Sequence, residues 1–364
     1  MSKQTDLVNI SQIGPLSNRN MIINGGMQVS QRGTSFAGVT NGSSAYTLDR
    51  WAFSEAGAPT AAFTITQDAD GPDGFAPSLK WDCTTAQASL GAADAFYLEY
   101  KVEAQDLQRV GYGSASALTT TMSFRIKSNK TGTYTLWLFQ ADDSRHVQVQ
   151  YTIDAADTWE TKTCVIPADA TGVIDNDNGT GFFIRWVLGS GTDYTSGTAP
   201  AVWASELNAN RYVGQTVNLA DNTANYLAIT GVQLELGDTA TPFEHRSYGD
   251  ELAACQRYYQ RVTAAGTRPM LSNVTGIVSS LLTSVYRIGF YFPVTMRATP
   301  TFTGSDLQMW DGDAVVGSVA VSSSYITPQR FDADWTAASG LTAYRPAQIY
   351  SGSVNAYASF DAEL

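Results

Sequence analysis

The chain has 364 residues, with 22 Lys and Arg against 34 Asp and Glu, for a net charge of −12. No basic cluster stands ready to neutralise a phosphate backbone, so nucleic-acid binding is excluded and an anionic membrane surface is disfavoured. Only 15% of residues are charged, and turn residues recur about every ten positions, which predicts an all-β chain long enough for two domains.

Residues 1–20 are polar, aperiodic and carry Gly14-Pro15, and read as an extended arm, either a frayed terminus or an attachment peg. Residues 21–246 form the first domain. Apolar and polar residues alternate in Ala61–Gln67, Phe96–Val102, Thr121–Lys127, Thr133–Phe139, Val147–Ile153, Glu160–Ile166, Phe182–Leu188 and Leu227–Leu236. Between two of these runs, SNKTG predicts a hairpin turn that places Gly132 where a positive φ is required. About eight or nine such strands suffice for a two-sheet antiparallel jelly-roll sandwich.

Gly237-Asp238 ends the last strand, and Pro242 keeps the following residues extended. Ser247 then offers an N-cap oxygen, with Asp250 as its capping-box partner, opening a short helical neck over 247–262. Leu252, Cys255, Tyr259 and Val262 recur at spacings of three, four and three, one apolar stripe along about four turns. Such a stripe docks on its own sandwich or forms the seam of a parallel bundle with copies of itself, and the second reading is preferred. Residues 263–364 read as a smaller distal β-domain. Its strands are expected at Gly276–Leu282, Tyr286–Phe292, Thr299–Thr303, Leu307–Asp311, Ala314–Ala320, Gln348–Tyr350 and Ala356–Asp361, with turns at Asp311–Asp313 and Ser322–Ser324.

Signals for catalysis are sparse. The two histidines, His146 and His245, fall before a strand and in the strand-to-helix junction, and both read as structural. No nucleophile elbow, HExxH pair or phosphate-binding loop occurs, so no enzyme is expected. Asp175-Asn176-Asp177-Asn178-Gly179 opens like a calcium loop, but the twelfth position is Trp186 rather than Glu, and a polar turn explains the run more simply. No metal or cofactor is expected. Cys83, Cys164 and Cys255 are odd in number and widely spaced, and read as buried free thiols. The first twenty residues have no apolar core of a secretion signal, and no run reaches the roughly 18 apolar residues of a membrane helix. Trp51, Trp81, Trp137 and Trp186 lie on strands and are read as core. Aromatic faces set among polar groups suit saccharides. Tyr194 and Trp203, in loop-like sequence, are candidate ligand-binding residues of the first domain. Trp310, Tyr325, Trp335 and Tyr344, with Tyr350, are read as lying in or beside polar loops of the distal region and are the preferred candidates.

The phrase VQLELGDTATPFEHRSYGDELAACQRYYQR resembles the junction of many bacteriophage tail-fibre and receptor-binding proteins, where a carbohydrate-binding-module-like jelly roll ends in a strand and passes into a helix. Three further stretches are similar: NRNMIINGGMQVSQRGTSF with YTLDRW, the segment Tyr151–Tyr194, and FPVTMRATPTFT with the terminal FDAEL. The resemblance implies a virion protein made in the host cytoplasm. It would be joined to other virion proteins through residues 1–20, assembled as a homotrimer along the helical neck, and adhere to host surface glycan. Jelly rolls of this kind often hold a structural calcium, which the resemblance leaves open for the Asp175–Gly179 turn. Two rivals stand: a head-fibre, capsid-decoration or tail subunit that binds protein rather than glycan, and an enzyme that trims surface polysaccharide.

Overall fold

The computed structural model describes residues 18–40, 45–264, 270–279, 284–312, 315–317, 319–337 and 340–364. They form two compact units, residues 18–251 together with Leu364, and residues 252–363. The strands of the first unit, in chain order, are β1 (Ser35–Val39), β2 (Ala45–Tyr46), β3 (Trp51–Ala56), β4 (Ala62–Asp68), β5 (Ser78–Thr85), β6 (Ala95–Glu103) and β7 (Thr120–Ser128). β8 (Gly132–Gln140), β9 (Arg145–Ile153), β10 (Glu160–Ile166), β11 (Thr180–Ser190), β12 (Ala204–Ser205) and β13 (Tyr226–Leu236) follow. They pair antiparallel into one sheet of order β1-β4-β5-β13-β7-β10 and another of order β12-β9-β8-β11-β6-β3-β2. The result is an antiparallel jelly-roll sandwich in an all-β chain.

Alternation sets the faces. Phe96, Leu98, Tyr100 and Val102 of β6 point into the core, with Trp51, Phe53, Phe63, Trp81 and Trp186. These rings meet at tilted angles with centroids 4.9–5.9 Å apart, the geometry that aromatic quadrupoles prefer. Gly132 opens β8 at φ 137°, as the turn requires. Gly231, at φ 60°, sits in a bulge of β13 where Phe75 packs against the backbone, so a side chain there would meet the ring at 2.7 Å.

The first and last segments of this unit clasp each other. Asn20 donates from Nδ2 to the Val232 carbonyl and accepts from the Leu234 amide, while the Met21 amide donates to the Leu234 carbonyl. Buried Glu235 accepts from the Thr241 amide at 2.8 Å and its hydroxyl at 2.6 Å, and Gln233 accepts from the Glu244 amide at 2.8 Å. Glu244 in turn accepts from the Asn20 amide at 2.9 Å, and His245 packs on Phe75 and Phe243. The expected arm is therefore corrected at its end: Asn20 is buried in this clasp, and residues 1–17 lie outside the described residues.

Ser247 caps the helix as its sequence predicts, receiving the Asp250 amide at 3.2 Å and donating to its carboxylate at 2.6 Å. The helix, α1, spans only Tyr248–Gln256. Tyr259 and Val262 belong to a strand, β14 (Tyr259–Thr263), so the four-turn stripe with Leu252 and Cys255 does not form. Tyr259 and Val262 fit a period of 3.6 on paper, but Tyr259–Thr263 pairs residue for residue with Tyr357–Asp361, and ladder hydrogen bonding decides the conformation.

The second unit continues with β15 (Gly276–Val278), β16 (Ser284–Tyr291), β17 (Thr301–Ser305), β18 (Leu307–Trp310), β19 (Val315–Val316), β20 (Val319–Thr327), β21 (Arg330–Ala337), β22 (Pro346–Ser351) and β23 (Tyr357–Asp361). Sheets of order β14-β23-β17 and β19-β18-β22-β15-β16-β21-β20 enclose Phe290, Met309, Phe331, Trp335, Ile349 and Phe360. The expected Ser322–Ser324 turn is corrected: these residues lie inside β20, which pairs with β21 through a bulge. The expected ends of two strands, 280–282 and 314, together with Asp313 and Ser318, lie outside the described residues.

Candidate functional site

The sandwich candidates are not on its surface. Trp203 is 4% exposed, stacked on Phe182 at 5.5 Å, with its Nε1 donating to the Pro167 carbonyl at 2.8 Å. Tyr194 is 9% exposed and packs on Tyr212 at 5.6 Å. The reading of both as exposed sugar platforms is corrected: Trp203 joins the core between the sheets through Phe182 and Tyr112, while Tyr194 packs with Tyr97, Trp137 and Tyr212 on the other face of the second sheet. That face is built around Arg185, whose cross-strand neighbours are Glu99 on β6 and Trp137 on β8. Arg185 Nε pairs with Glu99 Oε2 at 2.8 Å, and its guanidinium lies 4.1 Å from the Tyr97 ring and 4.9 Å from Trp137. Buried Tyr212 accepts from Arg185 Nη1 at 3.2 Å. A stack in which a cation lies over two rings and pairs with a carboxylate is self-satisfied and offers no aromatic face to a ligand.

Both histidines are structural in geometry. His146 is fully buried, and its Nδ1 accepts from Trp137 Nε1 at 2.9 Å. Burial lowers its pKa below the usual imidazole range. The Asp175–Gly179 segment is a turn held by backbone donors: Asp177 accepts from the Gly179 amide at 2.8 Å and Asp142 from the Asp175 amide at 3.0 Å. Burial raises the Asp142 pKa, and Asp175, Asp177 and Asp143 add to that rise. Among the described residues, no three His, Cys, Asp or Glu side chains are gathered to hold a metal ion. The three cysteines are free and buried, and burial pushes the Cys164 thiol up to about 12.

The second unit carries two open clefts. Trp310 lies on β18, half-buried against Tyr350 at 5.5 Å, and Trp335 lies on β21, 1% exposed, donating from Nε1 to the Ile288 carbonyl at 3.1 Å. Trp310 thus falls in the strand expected over Leu307–Asp311, whereas the reading of Trp335 as a surface residue in or beside a polar loop is corrected: Trp335 is core. Tyr325 and Tyr344 remain exposed, at 51% and 75%. Tyr344 occupies a turn at φ 62°, and Tyr325 projects from β20 with the Arg287 guanidinium 4.1 Å from its ring. Arg287, itself at φ 62° in a bulge of β16, links the two, because it also lines an apolar cleft of about 530 Å3 with Thr275, Ile277, Val278 and Tyr344. A second cleft, about 620 Å3, is floored by Phe302, Leu307 and Trp335 and rimmed by Asp306, Gln308 and Ser353.

Sequence reasoning finds the exposed tyrosines but misses Ile277, Arg287 and Asp306. Arg287 and Asp306 both stand at positive φ, which the sequence does not display: Arg287 lies in a bulge of β16 and Asp306 in the link between β17 and β18.

Neither a protein-family profile nor any curated protein matches the chain. Solved structures align at low similarity. One is the enzymatically active domain of tailspike protein 4 from bacteriophage CBA120, at 14% identity and TM-score 0.29, over 55% of this chain and 21% of that one. Another is the family 11 carbohydrate-binding module of a Clostridium thermocellum cellulosomal cellulase, at 11% identity and TM-score 0.28, over 55% and 96%. A third is a cyclase from Fischerella sp. TAU, at 11% identity and TM-score 0.30, over 62% and 98%. Among the described residues, no helix is long and apolar enough to cross a membrane.

Proposed function

We propose that the chain is a non-enzymatic, fibre-like phage virion protein that adheres to host surface glycan through its second unit, with the sandwich as scaffold. The observation that carries this reading is the exposed pair Tyr325 and Tyr344 joined by Arg287 beside an apolar cleft, while the sandwich candidates Tyr194 and Trp203 are buried. Flat aromatic faces with a nearby hydrogen-bonding cation suit the CH-rich faces and hydroxyls of a saccharide. His146 is buried and bonded to Trp137, and the exposed His245 rests against Phe75 and Phe243, which supports binding rather than turnover. The sequence resemblance of the junction supports the virion setting, a homotrimer and attachment to other virion proteins through the N-terminal arm. The trimer now draws no support from a helical stripe, since Tyr259 and Val262 are in β14.

Weak single sites held in several copies gain avidity through effective concentration, so a shallow cleft is adequate for adhesion. The alternative, a head-fibre, capsid-decoration or tail subunit that binds protein, is favoured by one observation, the sealed outer face of the sandwich. The test is binding of the full chain to host cells with and without free saccharide competitors, using Tyr344→Ala in parallel. Tyr344 is exposed at a turn, so the variant is expected to fold normally and lose about tenfold or more of cell binding, the value of one stacked aromatic contact. Binding that no saccharide competes, and that Tyr344→Ala leaves intact, rejects glycan adhesion in favour of the protein-binding reading. Release of reducing ends from host polysaccharide would establish an enzyme instead.

A further inference from the structure

The larger cleft of the second unit is chemically distinct from the Tyr344 surface. The seven-stranded sheet curls so that β18 and β20, from its opposite margins, both line the cleft, and β17 closes it from the other sheet. Its floor is apolar: Phe302 stacks on Phe331 at 4.5 Å and stands edge-on to Trp335 at 5.9 Å. Its rim is polar and fixed. Asp306 Oδ2 accepts from the Ser353 hydroxyl at 2.8 Å, and the Asp306 carbonyl accepts from the Gly352 amide at 2.6 Å. Asp306 adopts φ 52°, a conformation Asp tolerates better than most residues, and holds its exposed carboxylate over the cavity. No lining residue is Lys or Arg, and Asp306 enters no ion pair among the described residues. The Gln308 amide, on the same rim, makes no side-chain hydrogen bond among them.

We infer that this cleft is a second saccharide subsite that takes a neutral or amine-bearing sugar residue and rejects acidic sugars. The inference rests on the glycan reading of the chain and adds the ligand's charge class. An apolar floor accepts the CH face of a pyranose, while the free Asp306 oxygen and the Gln308 amide receive and donate hydrogen bonds to its hydroxyls. The uncompensated carboxylate, in a chain of net charge −12, attracts an ammonium and repels a uronate. The cavity of about 620 Å3 falls inside the range of small-ligand sites, roughly 300–1,000 Å3.

The experiment titrates the full chain with glucose, glucosamine and glucuronic acid, and with their galactose-series counterparts, by isothermal calorimetry or ligand-observed NMR. The wild type is expected to bind the amine best and the acid worst, the amine gaining about tenfold to a hundredfold from a charge-assisted hydrogen bond. Asp306→Asn keeps the shape and the Ser353 contact, and is expected to erase the preference for the amine while leaving neutral sugar binding within a few-fold. Ala320→Trp, at an exposed position on the cleft wall, is expected to abolish binding at this site while leaving the fold intact. If the wild type binds saccharide, loses it in Tyr344→Ala, and is unchanged by Asp306→Asn and Ala320→Trp, the subsite is overturned and the adhesion reading stands. A wild type that binds none of the six sugars, while its cell binding is also insensitive to saccharide, overturns both. Preferred binding of the uronic acids overturns the charge assignment.

Discussion

Single side chains decide which surfaces of this molecule are available. Arg185 is flanked by Glu99 and Trp137 across two strand pairs, so a cation that looks solvent-facing in the alternation of β11 becomes the centre of a closed stack. Glu99 is 2% exposed and also receives the Ser54 hydroxyl at 3.1 Å. Removing its charge by Glu99→Gln leaves Arg185 desolvated without its partner, a loss expected on the order of 3–5 kcal/mol in urea unfolding. His146 supplies the pH dependence at this scale. Its Nδ1 must stay unprotonated to accept from Trp137, and burial lowers its pKa, with Glu206 opposing and Arg211 reinforcing the shift. The folded state therefore takes up a proton less readily than the unfolded chain. Its contribution is complete above the unfolded imidazole value of about 6.5 and is lost as pH falls from there through the lower folded value. The wild-type melting temperature should thus drop between pH 7 and pH 5 more than that of His146→Asn, which keeps an acceptor for Trp137. Equal slopes for the two proteins would remove His146 as the titrating group.

At the scale of elements, the strands that alternate cleanly were legible: β6 to β11 and β13 lie within a few residues of their sequence-based spans. β3 and β5 were legible only through Trp51 and Trp81, read as strand core, and their spans were not, because WAFSEA and SLKWDCTT mix small, polar and apolar residues without a strict period. The helix start was legible because capping is local chemistry, whereas its end was not. Tyr258–Thr263 is aromatic and β-branched, and its conformation depends on β23, about a hundred residues away in sequence, a partner no local pattern reveals. The same limit hid the sealing of Tyr194 and Trp203, since loop composition does not say what a loop folds onto. The junction motif, by contrast, acquires a cause. Gln233, Glu235, Glu244 and Asn20 tie the last strand to the first described segment, which explains why the two phrases occur together in one chain. Because α1 has only nine residues, its cap is a large share of its own stability. Ser247→Ala should cost about 1 kcal/mol, read as a lowered denaturation midpoint with an unchanged slope. No change would mean that tertiary packing alone holds the helix.

For the whole molecule, what matters is that each unit builds a main core of its own. One gathers Trp51, Trp81 and Trp186 between the sandwich sheets, and the other gathers Phe290, Phe331 and Phe360 in the second unit. A unit of about 110 residues can sustain its own core, and removing a buried ring from it leaves a cavity in that unit alone. Trp186→Ala and Phe360→Ala are each expected to cost on the order of 3–5 kcal/mol, but in different calorimetric transitions. Phe360 packs on Phe290, Phe292, Phe302 and Phe331, so its loss should lower only the transition of the second unit and weaken saccharide binding with it. Trp186→Ala should lower the sandwich transition and leave saccharide binding by the second unit unchanged at temperatures where both units are folded. A single transition that moves equally in both variants would show that the cores unfold as one cooperative block. The division of labour between scaffold and binding unit would then lose its thermodynamic basis.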